Sequence, residues 1–168
     1  ITLINSVSKQ SKMALNMARS KHELSKGGYT LMEHQVDALK WMIKRETTIS
    51  RTSKKPIKGP FGGILADDMG LGKTLQAIAL LYTMLKQGSE CGHPVSRAIV
   101  VTPTSLIFNW DAELKKWLPD KRSPKDASGK HIASLIDAIA LSETSREAVR
   151  YNITQFLNSR MIRVLIIS

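Results

Sequence analysis

The stretch Asp67-Asp68-Met69-Gly70-Leu71-Gly72-Lys73-Thr74 constrains this chain more than any other part of it. The short apolar run Gly62 to Ala66 precedes it and predicts a strand. Residues 73–87 follow it, and Leu75, Ile78, Leu81, Tyr82 and Leu85 predict a helix that is apolar on most faces and therefore buried. A strand that feeds a glycine turn, which in turn opens a helix, makes a cradle for an anion. Gly70 and Gly72 permit backbone angles closed to other residues and let amide N–H groups approach oxygens closely. The free amides and dipole at the start of the helix favour negative charge. Lys73 is placed to reach outer phosphates, and the Thr74 hydroxyl to bind Mg²⁺. Asp67 stands where the full G-x-x-x-x-G-K-[ST] pattern has its first glycine, so G-x-G-K-T is what survives. The bland alternative is a glycine turn that happens to end in Lys-Thr.

The remaining chain alternates. Residues 30–46 predict a helix with Met32, Val36, Leu39 and Ile43 on one stripe. Ala98 to Thr102 is β-branched and uninterrupted, as expected of a central parallel strand covered on both faces. Residues 105–118 predict a helix striped by Ile107, Trp110, Leu114 and Trp117, which places both tryptophans in the core. A strand over 136–141, a helix over 143–158 carrying Val149, Ile153 and Phe156, and a strand over 164–167 complete the series. Strands alternating with helices predict an α/β fold, a parallel sheet flanked by helices. Residues 1–28 form a Lys/Ser/Met-rich lead-in with helical character only around 13–22, and residues 29–168 form the folded part.

Charge narrows the partners. Lys and Arg number 25 against 14 Asp and Glu, a formal +11. Such an excess is an electrostatic footprint for polyanions. It gathers in two loops, 47–60 with Arg51, Lys54, Lys55 and Lys58, and 119–130 with Lys121, Arg122, Lys125 and Lys130. Contacts of this kind give affinity without sequence preference and weaken steeply with salt. Aromatic residues are only 5%, which favours tracking of a phosphate backbone over base stacking. The same loops would suit an acidic protein surface such as a histone face. The single cysteine, Cys91, excludes an internal disulfide, and Cys91 with His93 falls short of the four ligands of a structural zinc site. No apolar run approaches the roughly 18 residues needed to span a bilayer, so no membrane partner is expected. The chain opens on Ile1 and reads as an intracellular fragment of something longer.

Asp67 to Gln76 resembles motif I of the Swi/Snf-family, superfamily-two helicase-like ATPases, in which an acidic pair precedes Met-Gly-Leu-Gly-Lys-Thr. Asp67 in place of glycine is therefore expected there. His34-Gln35, within Leu31 to Met42, resembles that family's upstream glutamine motif, whose amide reads the adenine edge. Thr102, Pro103, Thr104, Ser105 and Asn109, within Ile99 to Trp110, resemble motif Ia, which contacts the DNA backbone. Val164 to Ser168 resembles the strand entering motif Ib. Ser89-Glu90-Cys91 and the run Arg97 to Val101 look most like the recombination-repair translocase branch, with Lodestar-type and ubiquitin-ligase-fused repair branches next.

The resemblance implies a RecA-like sheet, the incomplete first lobe of a two-lobe motor, in a nuclear ATP-dependent translocase on double-stranded DNA. A recombinase or a nucleosome would be a partner. ATP and Mg²⁺ would be used, with Lys73 and Thr74 catalytic and Thr74 binding the metal. Gln35 and the run Asp68, Met69, Gly70, Leu71, Gly72, Lys73, Thr74, Leu75 would hold the nucleotide. The family's Asp-Glu-x-His motif and second lobe are expected beyond Ser168, so these residues alone should bind nucleotide weakly and not turn it over. Two other functions compete: a small-molecule kinase using the same loop, and a non-catalytic lobe that binds DNA or a partner. Ser and Thr at 102–105 could also simply cap the helix that begins there.

Overall fold

The computed structural model describes residues 30–47, 62–86, 95–129, 133–142 and 145–168. The lead-in, the basic cluster Arg51, Lys54, Lys55 and Lys58, the Cys91 and His93 pair, and Lys130 lie outside the described residues. The described residues group into two units, one ending at 86 and one starting at 95.

The first unit is a helix pair, α1 (Glu33–Thr47) and α2 (Lys73–Lys86). Glu33 in the first turn of α1 and Lys44 and Arg45 in its last complement the helix dipole. The buried line of α1 and its lead-in is Leu31, Gln35, Leu39 and Ile43; Leu39 and Ile43 are as expected, while Leu31 and Gln35 take the places expected for Met32 and Val36. Met32 is exposed and Val36 half-buried. Hydropathy alone selects the all-apolar line; the true one passes through a glutamine whose amide oxygen and nitrogen each have a partner, which offsets the cost of burying it. Against this line α2 packs Leu75, Ile78, Ala79, Tyr82 and Leu85, all buried. Each full burial of a large aliphatic side chain is worth about 1.5–3 kcal/mol, so this seam holds the unit together. Thr83 sits in the same face because its hydroxyl donates back to the Ala79 carbonyl at 2.8 Å.

The strand expected over Gly62 to Ala66 does not form; residues 63–68 carry no regular secondary structure. A strand exists only through ladder partners, and two glycines weaken an extended segment further. Local side chains engage this segment instead. Arg45 donates to the Gly62 carbonyl from Nε at 3.3 Å and from Nη2 at 3.2 Å, and the Trp41 ring packs directly on Gly63.

The second unit is a parallel three-stranded sheet of order β1-β3-β2, with β1 (Ala98–Val101), β2 (Asp137–Ala140) and β3 (Ile162–Ile167). Helix α3 (Ile107–Trp117) packs on β2 and β3, and α4 (Arg146–Asn158) on β3. The central strand is therefore β3, not the β1 segment expected there. Val164, Leu165 and Ile166 are all buried, while Ile99 and Val101 of β1 are exposed. Both strands are β-branched, so composition could not rank them; the pairing order does. The ladder between β2 and β3 slips beside Asp137, the residue that disturbs the apolar run.

On α3 the fully buried residues are Ile107 and Leu114, continued by Leu118. Trp110 and Trp117 are only half-buried, which corrects their expected place in the core. Trp117 donates from Nε1 to the Glu113 carboxylate, and Lys116 lies 4.6 Å from its ring centre, so a polar collar holds the indole at the surface. Arg97 closes the end of α4. It donates to the carbonyls of Phe156 at 2.8 Å, Leu157 at 2.6 Å and Ser159 at 3.2 Å, satisfying acceptors that a helix terminus leaves free.

Candidate nucleotide-binding site

Asp67 to Gly72 runs into the first turn of α2. Gly70 and Gly72 have φ of +89° and +82°, the left-handed region that glycine alone enters freely. They turn the chain so that Lys73 begins the helix. Its ammonium folds back over the loop, donating to the Asp67 carbonyl at 2.6 Å and the Asp68 carbonyl at 2.8 Å. The Leu71 N–H donates to the same Asp68 carbonyl at 3.4 Å. A positive group is thus gathered at the mouth of a turn whose helix dipole already favours an anion. Met69 and Gly70, at the tip, are exposed, while Thr74 and Gly72 are half-buried and Leu75 is buried.

Three side chains converge on one oxygen of this loop. The Leu71 carbonyl accepts from Gln35 Nε2 at 3.0 Å and from Gln76 Nε2 at 3.3 Å, and His34 Nε2 lies 3.3 Å away, donating in its Nε2–H tautomer. Gln35 comes from α1, so the structure joins the expected glutamine to the expected loop and buries it. Gly72 is required for that approach, because a Cβ there would lie 2.5 Å from Gln35 Nε2. The sequence reading assigned no role to Gln76. It is fully buried on α2 and also donates to the Asp67 carboxylate at 2.8 Å. Its signal was available: a glutamine lying on an otherwise apolar face of a helix.

Thr102, Pro103, Thr104, Ser105 and Asn109 belong to the second unit. Thr102 is buried and its N–H donates to the Ile167 carbonyl at 2.9 Å, extending the ladder by one residue. Pro103, Thr104, Ser105 and Asn109 are exposed. The capping role for these hydroxyls is not used: a short 3₁₀ turn, Thr104–Leu106, starts after Pro103, α3 follows after Leu106, and neither start has a side-chain cap. In the basic loop that follows, Asp120 accepts two hydrogen bonds from the Arg122 guanidinium, each of 3.0 Å, and holds its pKa above the usual arginine value. Part of the expected positive surface is therefore neutralised locally. Among the described residues no group of three or more His, Cys, Asp or Glu comes together to hold a metal, and no helix is long and apolar enough to cross a membrane.

The family described as the SNF2-related domain matches residues 34–134, from the base of the glutamine helix through the basic loop. The chain belongs to the SNF2-related family. Its fold agrees, with a small parallel sheet and flanking helices as in part of a RecA-like lobe. Among curated relatives it is 50% identical over 108 residues to Protein CHROMATIN REMODELING 25 of Arabidopsis thaliana, covering 64% of this chain and 10% of that protein. It is 46% identical over 111 residues to DNA repair and recombination protein RAD54 of Oryza sativa subsp. japonica, covering 66% of this chain and 10% of the relative. With DNA repair and recombination protein RAD54-like of Mus musculus it shares 35% over 134 residues, 80% of this chain and 15% of the relative. Within the SNF2-related family the likeness thus runs to the recombination-repair branch. The chain spans only 10 to 15% of the length of these three relatives.

Proposed function

We propose that this chain is the nucleotide-binding part of an ATP-dependent translocase on double-stranded DNA, acting in recombination and repair or in chromatin remodelling in the nucleus. The observation that carries the reading is the Lys73 ammonium drawn over a glycine turn at the start of α2. Its present partners are neutral carbonyls, and phosphate oxygens offer it an opposite full charge in their place. Backbone amides from Asp68 to Leu75 line the cradle, Gln35 stands beside it to read the adenine edge, and Thr74 supplies a hydroxyl for Mg²⁺. Lys73 and Thr74 are the residues that would touch the reacting phosphates. The bound metal would neutralise phosphate charge, and the described residues offer no acidic cluster that competes for it.

Exposed Pro103, Thr104, Ser105 and Asn109, with buried Thr102 preceding them, would meet the DNA backbone. Hydroxyl and amide groups of this kind position a protein on a duplex without reading sequence. The 168 residues contain no Asp-Glu-x-His stretch. Phosphoryl transfer depends on charge stabilisation from several directions, an arginine finger alone giving about 10³–10⁵ in rate, so these residues by themselves bind nucleotide without turning it over.

The deciding measurement is binding of a fluorescent ATP analogue to the chain and to Lys73→Ala, with and without duplex DNA. Binding that disappears in Lys73→Ala while DNA binding persists supports the reading. Equal binding by both chains, or hydrolysis by the 168 residues alone, overturns its corresponding part.

A further inference from the structure

A polar side chain that is wholly buried and left with an unpaired atom has a reason to be where it is. Gln76 is 0% exposed, among the apolar residues of α2. Both protons of its amide are used, one on the Asp67 carboxylate at 2.8 Å and one on the Leu71 carbonyl at 3.3 Å. These two acceptors fix which way the amide faces, because only its nitrogen can donate. Its Oε1 is then buried with no donor among the described residues. For stability alone this is a poor choice, since an unsatisfied buried acceptor costs free energy that an apolar side chain of equal length would not.

The two acceptors lie at opposite ends of the phosphate loop. Asp67 enters it and Leu71 leaves it, with Met69 and Gly70 between them at the tip. One amide on a rigid helix therefore sets the span of the turn. The Asp67 carboxylate is the more telling partner. Gln76 draws it toward the base of the loop, so its negative charge is tied down while the Lys73 ammonium takes the Asp67 and Asp68 carbonyls.

We propose that Gln76 is a positioning residue for nucleotide binding, which holds the Asp67 carboxylate and the Leu71 carbonyl so that the loop keeps its open span. The proposal rests on the nucleotide reading of this loop. It separates stability from function: removing the amide leaves the fold as stable or more so, and the loop loses its shape. Asp67 is half-exposed and its carboxylate can be solvated once released, so no buried charge is stranded.

The test uses Gln76→Met, which keeps length and loses both donors, and Asp67→Ala, which removes the partner from the half-exposed side and does not disturb the core. Amide hydrogen exchange across 69–72 without nucleotide is measured beside the affinity for a fluorescent ATP analogue and the thermal midpoint. Expected are faster exchange at 69–72 in both variants, affinity lower by about tenfold, and a midpoint for Gln76→Met at or above that of the parent chain. The double variant should be no weaker than Gln76→Met by more than about twofold, because the Asp67 contact is already lost there, and the Gln76→Met effect should be at least as large as that of Asp67→Ala. Unchanged exchange at 69–72 overturns the proposal, as does affinity loss that merely follows a fall in the midpoint. If the parent chain and Lys73→Ala bind the analogue equally while exchange still rises in Gln76→Met, the loop-holding role stands and the nucleotide reading fails.

Discussion

The side chain of Gln35 uses both ends of its amide: Nε2 donates to the Leu71 carbonyl, while Oε1 accepts the Met32 N–H at 3.0 Å. The second bond is the return half of a capping box, a glutamine in the third position of a helix reaching back to its start. Capping and loop contact are thus coupled in one residue, and they separate by substitution. Gln35→Glu keeps an acceptor for Met32 and sets a carboxylate against the Leu71 carbonyl. Gln35→Ala loses both. A urea titration should show Gln35→Ala less stable by about 1 kcal/mol, the usual worth of a cap. Gln35→Glu keeps the cap but buries a carboxylate against the Leu71 carbonyl, so it should be the less stable of the two at neutral pH and should also lose discrimination between ATP and GTP in competition binding.

Gly70 and Gly72 have similar φ, so alanine strains the backbone alike at both, by roughly 1–2 kcal/mol. Their surroundings differ. Nothing lies within 4 Å of a Cβ at Gly70, whereas one at Gly72 meets Gln35 Nε2. Gly72→Ala should therefore be the more destabilising, and it alone should perturb α1. Backbone amide shifts near Met32 and Gln35, recorded for both variants, check this.

Arg97 serves three carbonyls at the end of α4 and lies 5.9 Å from the Phe156 ring centre. A lysine is a point charge and cannot span three acceptors as the guanidinium fork does. Arg97→Ala should cost about 1–3 kcal/mol, and Arg97→Lys should recover little of it. Hydrogen exchange should rise over 154–159 and stay unchanged in α1 and α2.

Thr104 and Ser105 are exposed at starts that carry no side-chain cap. Replacing both by alanine should change stability by no more than about 0.5 kcal/mol, as surface substitutions do. Affinity for duplex DNA should fall across unrelated sequences alike. A melt that drops well beyond that limit would mean the hydroxyls support the fold instead.

Much of this was legible in the residues. The glycine turn and Lys73 at the head of α2 follow from spacing, because a phosphate loop needs few residue types in a fixed order. Gln35 follows only from the family resemblance, since spacing alone favours a surface glutamine. What spacing could not show depends on partners distant in the chain. Periodicity chose the stripe through Met32 and Val36 because it weighs apolarity and cannot see that the Gln35 amide is satisfied 36 residues away. It placed Gly62 to Ala66 in a strand because extended character is local, whereas a ladder is not. It ranked β1 as central because two β-branched runs look alike until their pairing is known. Gln76 carries no role of its own in the sequence because its meaning lies in the two acceptors it meets.

Because the Leu71 carbonyl is grasped from α1 by Gln35 and from α2 by Gln76, the exit of the turn cannot lean toward one helix without stretching away from the other. The Met69–Gly70 crest stands clear of both amides, with Met69 96% exposed. On the proposed nucleotide reading, the turn meets an arriving anion with its exit already fastened to two helices and only its solvent-facing crest left to adjust.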